Sequence, residues 1–447
     1  MSELRRELGV FSAALLVVGG IIGSGIFFTP AEVARALPNG TMILGVWILG
    51  GFLALAGALT YAELGAMLPD AGGPYVYIRH AFGSLPAFLY GWMNLLSIAS
   101  GAIAAVAMGF AGYLGRFVDL APVGGPIGVA AATIIVLSLT NVLGIRPGTA
   151  LQNVLTGAKI AALAALIVGG LFLWTAMGAP IPVPTAPPPR DSLISGFAAA
   201  FVAVLFTIGG WQQMNMLAGE IRDPERTIPR ALLIGILIVI AIYLGANAVY
   251  LRALGRDGLA ASQAVAADAA SHMIGSAGAT FISVAAMISM LGFVNVAILT
   301  NSRVPFALAR DGVFFAAVGR VHPRFQTPHI AIVLYGGWAL VLLLVTRGGI
   351  GSLLSGVVFA DWIFFGLGAA AVFALRRSMP NAPRPYRAWG YPVVPAFFVL
   401  AAGFGVLSAY VAAPRTSLMG TLILLVGIGV HRWLIGQSTA TDRFPLN

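Results

Sequence analysis

Long apolar runs separated by short polar stretches set the pattern of this chain. Twelve runs stand out, at residues 10–36, 42–67, 84–114, 126–142, 149–177, 192–220, 229–252, 276–302, 329–346, 351–375, 393–413 and 416–435. Each reaches the roughly 17–25 residues a helix needs to cross a bilayer. The expected fold is an all-α polytopic membrane protein with twelve transmembrane helices. Two connecting stretches stand apart. Residues 179–190, APIPVPTAPPPR, are dense in proline and are expected to form an extended external linker. Residues 255–275 are too polar to span and are expected to form an external helix over the mouth. No separate soluble domain is expected, so 1–447 reads as one integrated unit.

Composition agrees. Of 447 residues, 59% are hydrophobic and 9% charged, with a mean hydropathy of +0.94. A soluble protein carries about 25% charge. The absence of cysteine excludes disulfides, thiolate nucleophiles, thiolate metal sites and a disulfide-linked partner subunit. A net charge of +10 invites a nucleic-acid reading. The basic residues, however, lie in short loops between apolar runs, where they set orientation. With the N-terminus inside, 17 arginines fall on the inner side and 7 outside. Both termini are therefore expected in the cytoplasm and the protein in the cell membrane. Residues 1–8 are short and charged, and the first run follows directly, so no cleavable signal is expected.

Two runs are interrupted near their middles. The first carries Gly19-Gly20-Ile21-Ile22-Gly23-Ser24-Gly25-Ile26-Phe27. The sixth carries Phe206-Thr207-Ile208-Gly209-Gly210-Trp211. Glycine is a poor helix former and lets a ligand approach the backbone closely. Opening a helix in hydrocarbon strands amides and carbonyls, each at a cost of several kcal/mol. Such breaks persist only where the freed groups are buried in protein or line a cavity. Their N–H groups suit a carboxylate. Runs one and six cross in opposite directions, five runs apart. An inverted repeat of five plus five spans gives this arrangement, with repeats at 1–178 and 190–377 and two further helices at 393–435. Glycines that merely allow close helix packing would explain one such cluster, but less readily a matched pair.

Charged residues within the runs are few. Lys159, the only lysine, lies roughly 12 residues into run five, about 18 Å deep at 1.5 Å per residue. That is close to the depth of Gly23, and an embedded ammonium is a candidate functional group. It could donate to carbonyls freed by the first break and stand in for a bound cation. Asp361, in run ten, is the carboxylate placed deepest in a span, as a gate, a proton carrier or a structural acceptor. Glu63 and Glu220 lie at the inner ends of runs two and six, where Glu220 is expected in gate or anchoring ion pairs. The five histidines show no i, i+4 pairing, so no metal site is expected. No phosphate loop follows Gly19–Gly25, and no nucleophile has a base and an orienting partner. Neither an enzyme nor a cofactor is expected.

Four stretches resemble the amino acid–polyamine–organocation superfamily, and within it the L-type amino acid transporter branch. They are Gly20–Phe27; Gly210-Trp211 with Asn215 and 220–230; Thr300–Arg303 with 309–312; and Arg376-Arg377 with 380–392. The resemblance implies the five-plus-five fold and a substrate with α-amino and α-carboxyl groups. It implies that the amides of Gly23, Ser24 and Gly25 hold the carboxylate. The carbonyls of Ile21, Phe206 and Thr207 would receive the ammonium. Phe206 falls where relatives place an aromatic that closes over substrate, and Trp211 follows as a further gate candidate. Lys159 matches a lysine that replaces sodium in this family, with Ser289 completing that site beside Gly292 and Asn295.

This chain departs from the pattern at Gly209, where many members carry a polar or acidic side chain, and at Gln212 and Gln213. Together with Gly210 these residues border the expected pocket. Gly209 enlarges or loosens the pocket and removes a possible charge partner, which favours small to medium neutral amino acids, moved by alternating access without sodium through exchange, uniport or proton coupling. A carrier of polyamines or other organic cations is the rival reading, since Asp361 offers one acidic group. A receptor would usually carry a soluble domain, and a channel would show a continuous polar stripe. Neither feature is evident.

Overall fold

The computed structural model describes residues 4–173, 192–412 and 414–441. The expected linker at 179–190 lies outside the described residues. Among the described residues the regular structure is helical, with one isolated bridge, between Leu8 and Ile221.

The first run is two helices, α1 (Val10–Ile21) and α2 (Gly25–Ala36), bent by 42°. The break falls at residues 22–24, so Gly25 opens the second helix rather than lying inside the gap. Helix α3 (Gly40–Met67) starts where the Asn39 side chain accepts from Met42 N at 2.9 Å, a side-chain N-cap. Helix α4 (Pro74–Phe82) follows. The run expected at 84–114 is α5 (Ser84–Met93) and α6 (Ala99–Leu114), joined by a π-turn at Asn94–Ile98. Hydropathy is blind to that turn, because a π-turn changes ring closure and not composition.

Helices α7 (Gly125–Val142) and α8 (Ile145–Val168) close the first half. Helix α9 (Leu193–Ile208) stops at Gly209, and α10 (Gln213–Met216) resumes for one turn. Helix α11 (Pro224–Ala261) is the longest, at 38 residues. It overruns the expected end at 252, with a kink at Gly255 (φ 65°). The external helix expected over 255–275 is therefore divided between the end of α11 and α12 (Val265–Ile274). Helix α13 (Ser276–Asn301) passes through Ser302 into α14 (Arg303–Arg310). Then come α15 (His329–Val345), α16 (Ile350–Ser378), α17 (Val393–Ala412) and α18 (Pro414–Thr441).

By length and apolarity, nine of the described helices can cross a membrane, and the bent α1–α2 pair makes ten. Helices α15 and α16 stand where the ninth and tenth runs were expected. This is a polytopic, all-helical membrane protein. The outer helix α18 presents Leu418, Met419, Leu422, Leu425 and Val426 to its surroundings, as a lipid-facing surface does.

Helix α1 sits at the centre, packed by α8, α11 and α13, and α2 packs on α9 and α11. Where α1 passes the second break, Gly20 and Gly210 touch backbone to backbone. A Cβ on Gly20 would lie 2.7 Å from the Gly210 carbonyl oxygen. One on Gly210, whose φ is +104°, would overlap the Gly20 carbonyl. The two broken helices thus meet through glycines that no other residue could replace without movement.

A chain of amide side chains within the bundle is paired, as an apolar surround favours. Asn141 Nδ2 donates to Asn295 Oδ1 at 2.9 Å, and Asn295 Nδ2 donates to Gln152 Oε1 at 3.0 Å. Gln152 Nε2 then donates to Thr156 Oγ1 at 2.9 Å. On the face that carries the N-terminus, the amides of Glu7 and Leu8 donate to Glu220 O at 2.8 and 3.0 Å.

Candidate functional site

Both breaks open onto one cavity of about 80 Å³. A water needs roughly 10–15 Å³ of such space, so the cavity holds several waters or a small solute. Its walls include Ile21, Gly23, Ser24 and Gly25 from the first break and Phe206, Thr207, Gly209 and Gly210 from the second. Asn94 and Ile98 of the π-turn, Ala102 and Val106 of α6, Phe293, Ala297 and Asn301 of α13, Gln212 and Gln213, and Asp361, Trp362 and Phe365 of α16 also line it.

The two breaks present opposite groups. Gly25 begins a helix with no side-chain cap, Ser24 having φ −88° and ψ −21°. The first amides of a helix have no intrahelical acceptor, so this end offers N–H donors and the positive end of a dipole. Gly209 ends α9 with φ −70° and ψ 168°, leaving the last carbonyls of α9 without their helical partners. Donors and acceptors therefore face a common space from two directions. Thr207 ties the halves together, its Oγ1 lying 2.8 Å from Thr29 Oγ1 on α2.

Tyr243 is a residue that motif reading missed. Its hydroxyl lies 3.1 Å from Ile21 O and 3.1 Å from Thr207 O. One hydroxyl proton thus serves a carbonyl from each break. Two of the three carbonyls expected to receive an ammonium, those of Ile21 and Thr207, are thus engaged by Tyr243, and Ile21 O also accepts from Gly23 N at 2.9 Å. A tyrosine in an apolar stretch of α11 gives no local signal for this contact.

Behind the first break, away from the cavity wall, Lys159 Nζ donates to Ile22 O at 2.6 Å. Gly19 O and Ser289 O lie 3.4 Å from the same nitrogen. Ser289 Oγ is 2.8 Å from Gly23 O and 3.1 Å from Ile22 O. Lys159 and Ser289 are fully buried. An ammonium and a hydroxyl together satisfy the carbonyls that the break releases. No group of three or more metal-binding side chains occurs among the described residues.

The structure also keeps two of the expected gate residues, Trp211 and Glu220, off the cavity wall. Trp211 packs in an aromatic cluster, 4.9 Å from Tyr61 and 5.8 Å from Phe365 and Phe398 by ring centroids. Its reach to the cavity is through Phe365. Glu220 lies on the face that carries the N-terminus, where Arg303 Nε and Nη2 donate to its two carboxylate oxygens at 2.8 and 3.0 Å. Both side chains are buried. Glu63 is similarly tied to Arg376, at 2.8 and 2.6 Å, and to the Ala388 amide at 2.7 Å. These pairs join the ends of α10 and α3 to α14 and α16.

A helical bundle whose two interrupted helices converge on a central cavity is the architecture of a membrane transporter. The chain belongs to the amino acid permease family, whose model matches residues 8–431. It is 33% identical over 440 residues to the serine/threonine exchanger SteT of Bacillus subtilis, covering 96% of each chain. It is 32% identical over 438 residues to the large neutral amino acids transporter small subunit 2 of Homo sapiens, covering 96% of this chain and 80% of that one. The human b(0,+)-type amino acid transporter 1 is 31% identical over 432 residues, with 96% and 87% covered. The resemblance drawn from the sequence motifs is borne out, and amino acid transport is the function of this family's chain.

Proposed function

We propose that the protein exchanges small to medium neutral amino acids across the cell membrane by alternating access and without sodium. The reading rests on one observation above all: a helix start at Gly25 and a helix end at Ile208 face the same cavity. In this reading the amides of Ser24 and Gly25 hold the substrate carboxylate, joined by that of Gly23 once it leaves Ile21 O, to which it donates at 2.9 Å. The open carbonyls of the second break, Phe206 O first, receive its ammonium. Helix-end dipoles replace full charges, so the amino acid backbone is bound whatever the side chain. The side chain then lies against the wall formed by α6, α13 and α16.

Lys159 fills the position a cation would take between α1 and α13, and a second cation there would be repelled. Sodium independence follows from that. Rocking of α1–α3 and α9–α11, the leading spans of the two five-helix repeats at 1–178 and 190–377, against the remaining helices would expose the cavity to each side in turn. The termini are assigned to the cytoplasm on the arginine distribution. The absence of cysteine supports function without a disulfide-linked subunit. A named relative's role as an exchanger supports exchange here.

The test is uptake of a panel of labelled amino acids, with a diamine included, into liposomes that contain the purified protein. Uptake of neutral amino acids that requires an internal amino acid and is unchanged when choline replaces sodium is the expected result. Uptake of the diamine alone would replace this reading with the organic-cation one.

A further inference from the structure

The cavity contains one acidic side chain, Asp361 of α16. No hydrogen bond or ion pair joins it to another described residue. Ile98, Phe293, Trp362 and Phe365 of the wall are apolar, and its amide side chains bond elsewhere: Asn94 Nδ2 donates to Asn301 Oδ1 at 3.0 Å, Asn301 Nδ2 to Ala297 O at 2.9 Å, and Gln212 Oε1 accepts from Gly210 N at 3.0 Å. Titratable groups on the helices around it are engaged elsewhere or are uncharged. Tyr61 of α3 donates to Phe365 O at 3.2 Å, and Tyr90 of α5 packs edge-on against Phe364, 5.4 Å between ring centroids. Glu63 of α3 is held by Arg376, and Tyr77 of α4 accepts from Asn215. Tyr113 of α6 lies under Arg116, Tyr410 of α17 pairs with Thr421, and His431 of α18 lies against Phe88. Lys159 is turned to the far side of α1.

A carboxylate at membrane depth is costly without a partner. Among the described residues none pairs with it, so the partner would come with the substrate or from solution as a proton. On the transport reading above, we propose that Asp361 sorts substrates by side chain. A side chain bearing a hydrogen-bond donor (hydroxyl, amide or ammonium) pairs with the carboxylate. A hydrocarbon side chain is carried only with a proton on Asp361, and that proton crosses with it. Serine exchanged for serine then moves no proton. Valine entering in exchange for serine brings one proton and one net positive charge inward.

The experiment uses liposomes that contain the protein, preloaded with serine and a pH-sensitive dye. Potassium and valinomycin clamp the membrane potential. External valine should acidify the lumen and external serine should not. Valine uptake should rise about tenfold per unit fall in pH where protonation limits it, and serine uptake should stay flat. In Asp361→Asn, valine uptake at whatever rate remains should lose both its pH dependence and the acidification, and the serine-over-valine preference should shrink. Valine and serine uptake that are equally flat in pH, with no lumenal acidification, would overturn the role of Asp361 while leaving amino acid transport intact. Uptake of neither amino acid would instead count against the transport reading. The wild-type dye signal decides the question even where Asp361→Asn fails to fold.

Discussion

Lys159 Nζ and the carbonyl oxygen of Ile22 lie 2.6 Å apart, joining α8 to the first residue beyond α1. This contact connects two events. The same interruption that frees the Ile22 and Gly23 carbonyls on one side begins α2 on the other, where its amides face the cavity. A shift in the break alters both sides together.

Lys159→Ala should leave the Ile22 and Gly23 carbonyls with only Ser289 as donor. A hydrogen bond to a charged group contributes about 1.5–3 kcal/mol, so transport should fall about ten- to hundredfold. Uptake per correctly folded molecule, with folding judged by a monodisperse elution profile, checks this. Wild-type uptake by a folded Lys159→Ala protein would remove the lysine from the account.

Two adjacent glycines should behave in opposite ways. At Gly210 the backbone has φ +104° and the Gly20 carbonyl fills the Cβ position, so Gly210→Ala should lose folded protein. At Gly209 a Cβ would meet nothing nearer than 3.7 Å and would border the cavity. Gly209→Ala should therefore fold normally and exclude larger neutral amino acids. Thermal melting in detergent and a size series of competing substrates separate the two outcomes.

Tyr243→Phe removes the hydroxyl shared by Ile21 O and Thr207 O while keeping the ring against Trp47. A net loss of about 1 kcal/mol is expected, which corresponds to about a fivefold rise in KM if it falls on substrate binding. An unchanged KM with a lower melting temperature would make Tyr243 purely structural.

Arg303 and Glu220 are both buried. Replacing one alone leaves a desolvated charge and should destabilise the protein by about 3–5 kcal/mol. The double variant Glu220→Gln with Arg303→Met should recover much of that, which thermal melting of the three variants will measure. A loss in the double variant equal to the sum of the two single losses would mean that the pair is not coupled.

The sequence made the helices legible because bilayer-length apolar runs have few alternatives. It also made the breaks legible, since Gly23–Gly25 and Gly209–Gly210 disrupt runs that should otherwise be continuous. The depth match of Lys159 and Gly23 followed from 1.5 Å per residue along two neighbouring helices, and the structure places the two in contact range through Ile22. What stayed hidden depends on direction rather than composition. Tyr243 reaches both breaks only because α11 packs across α1, and Trp211 turns away from the cavity toward Tyr61 and Phe398. The π-turn at Asn94 likewise has no hydropathy signature, although it supplies the cavity wall.

Recognition of both ends of an amino acid by the two breaks is the basis of the proposed transport. Isothermal titration of the detergent-purified protein with the best-transported amino acid, its methyl ester and its N-acetyl derivative tests this most directly. The free amino acid should bind, and each blocked analogue should bind about a hundredfold more weakly or not at all, because each leaves one set of helix-end groups unpaired. Equal binding of the ester and the parent compound would contradict the role given to Gly23, Ser24 and Gly25.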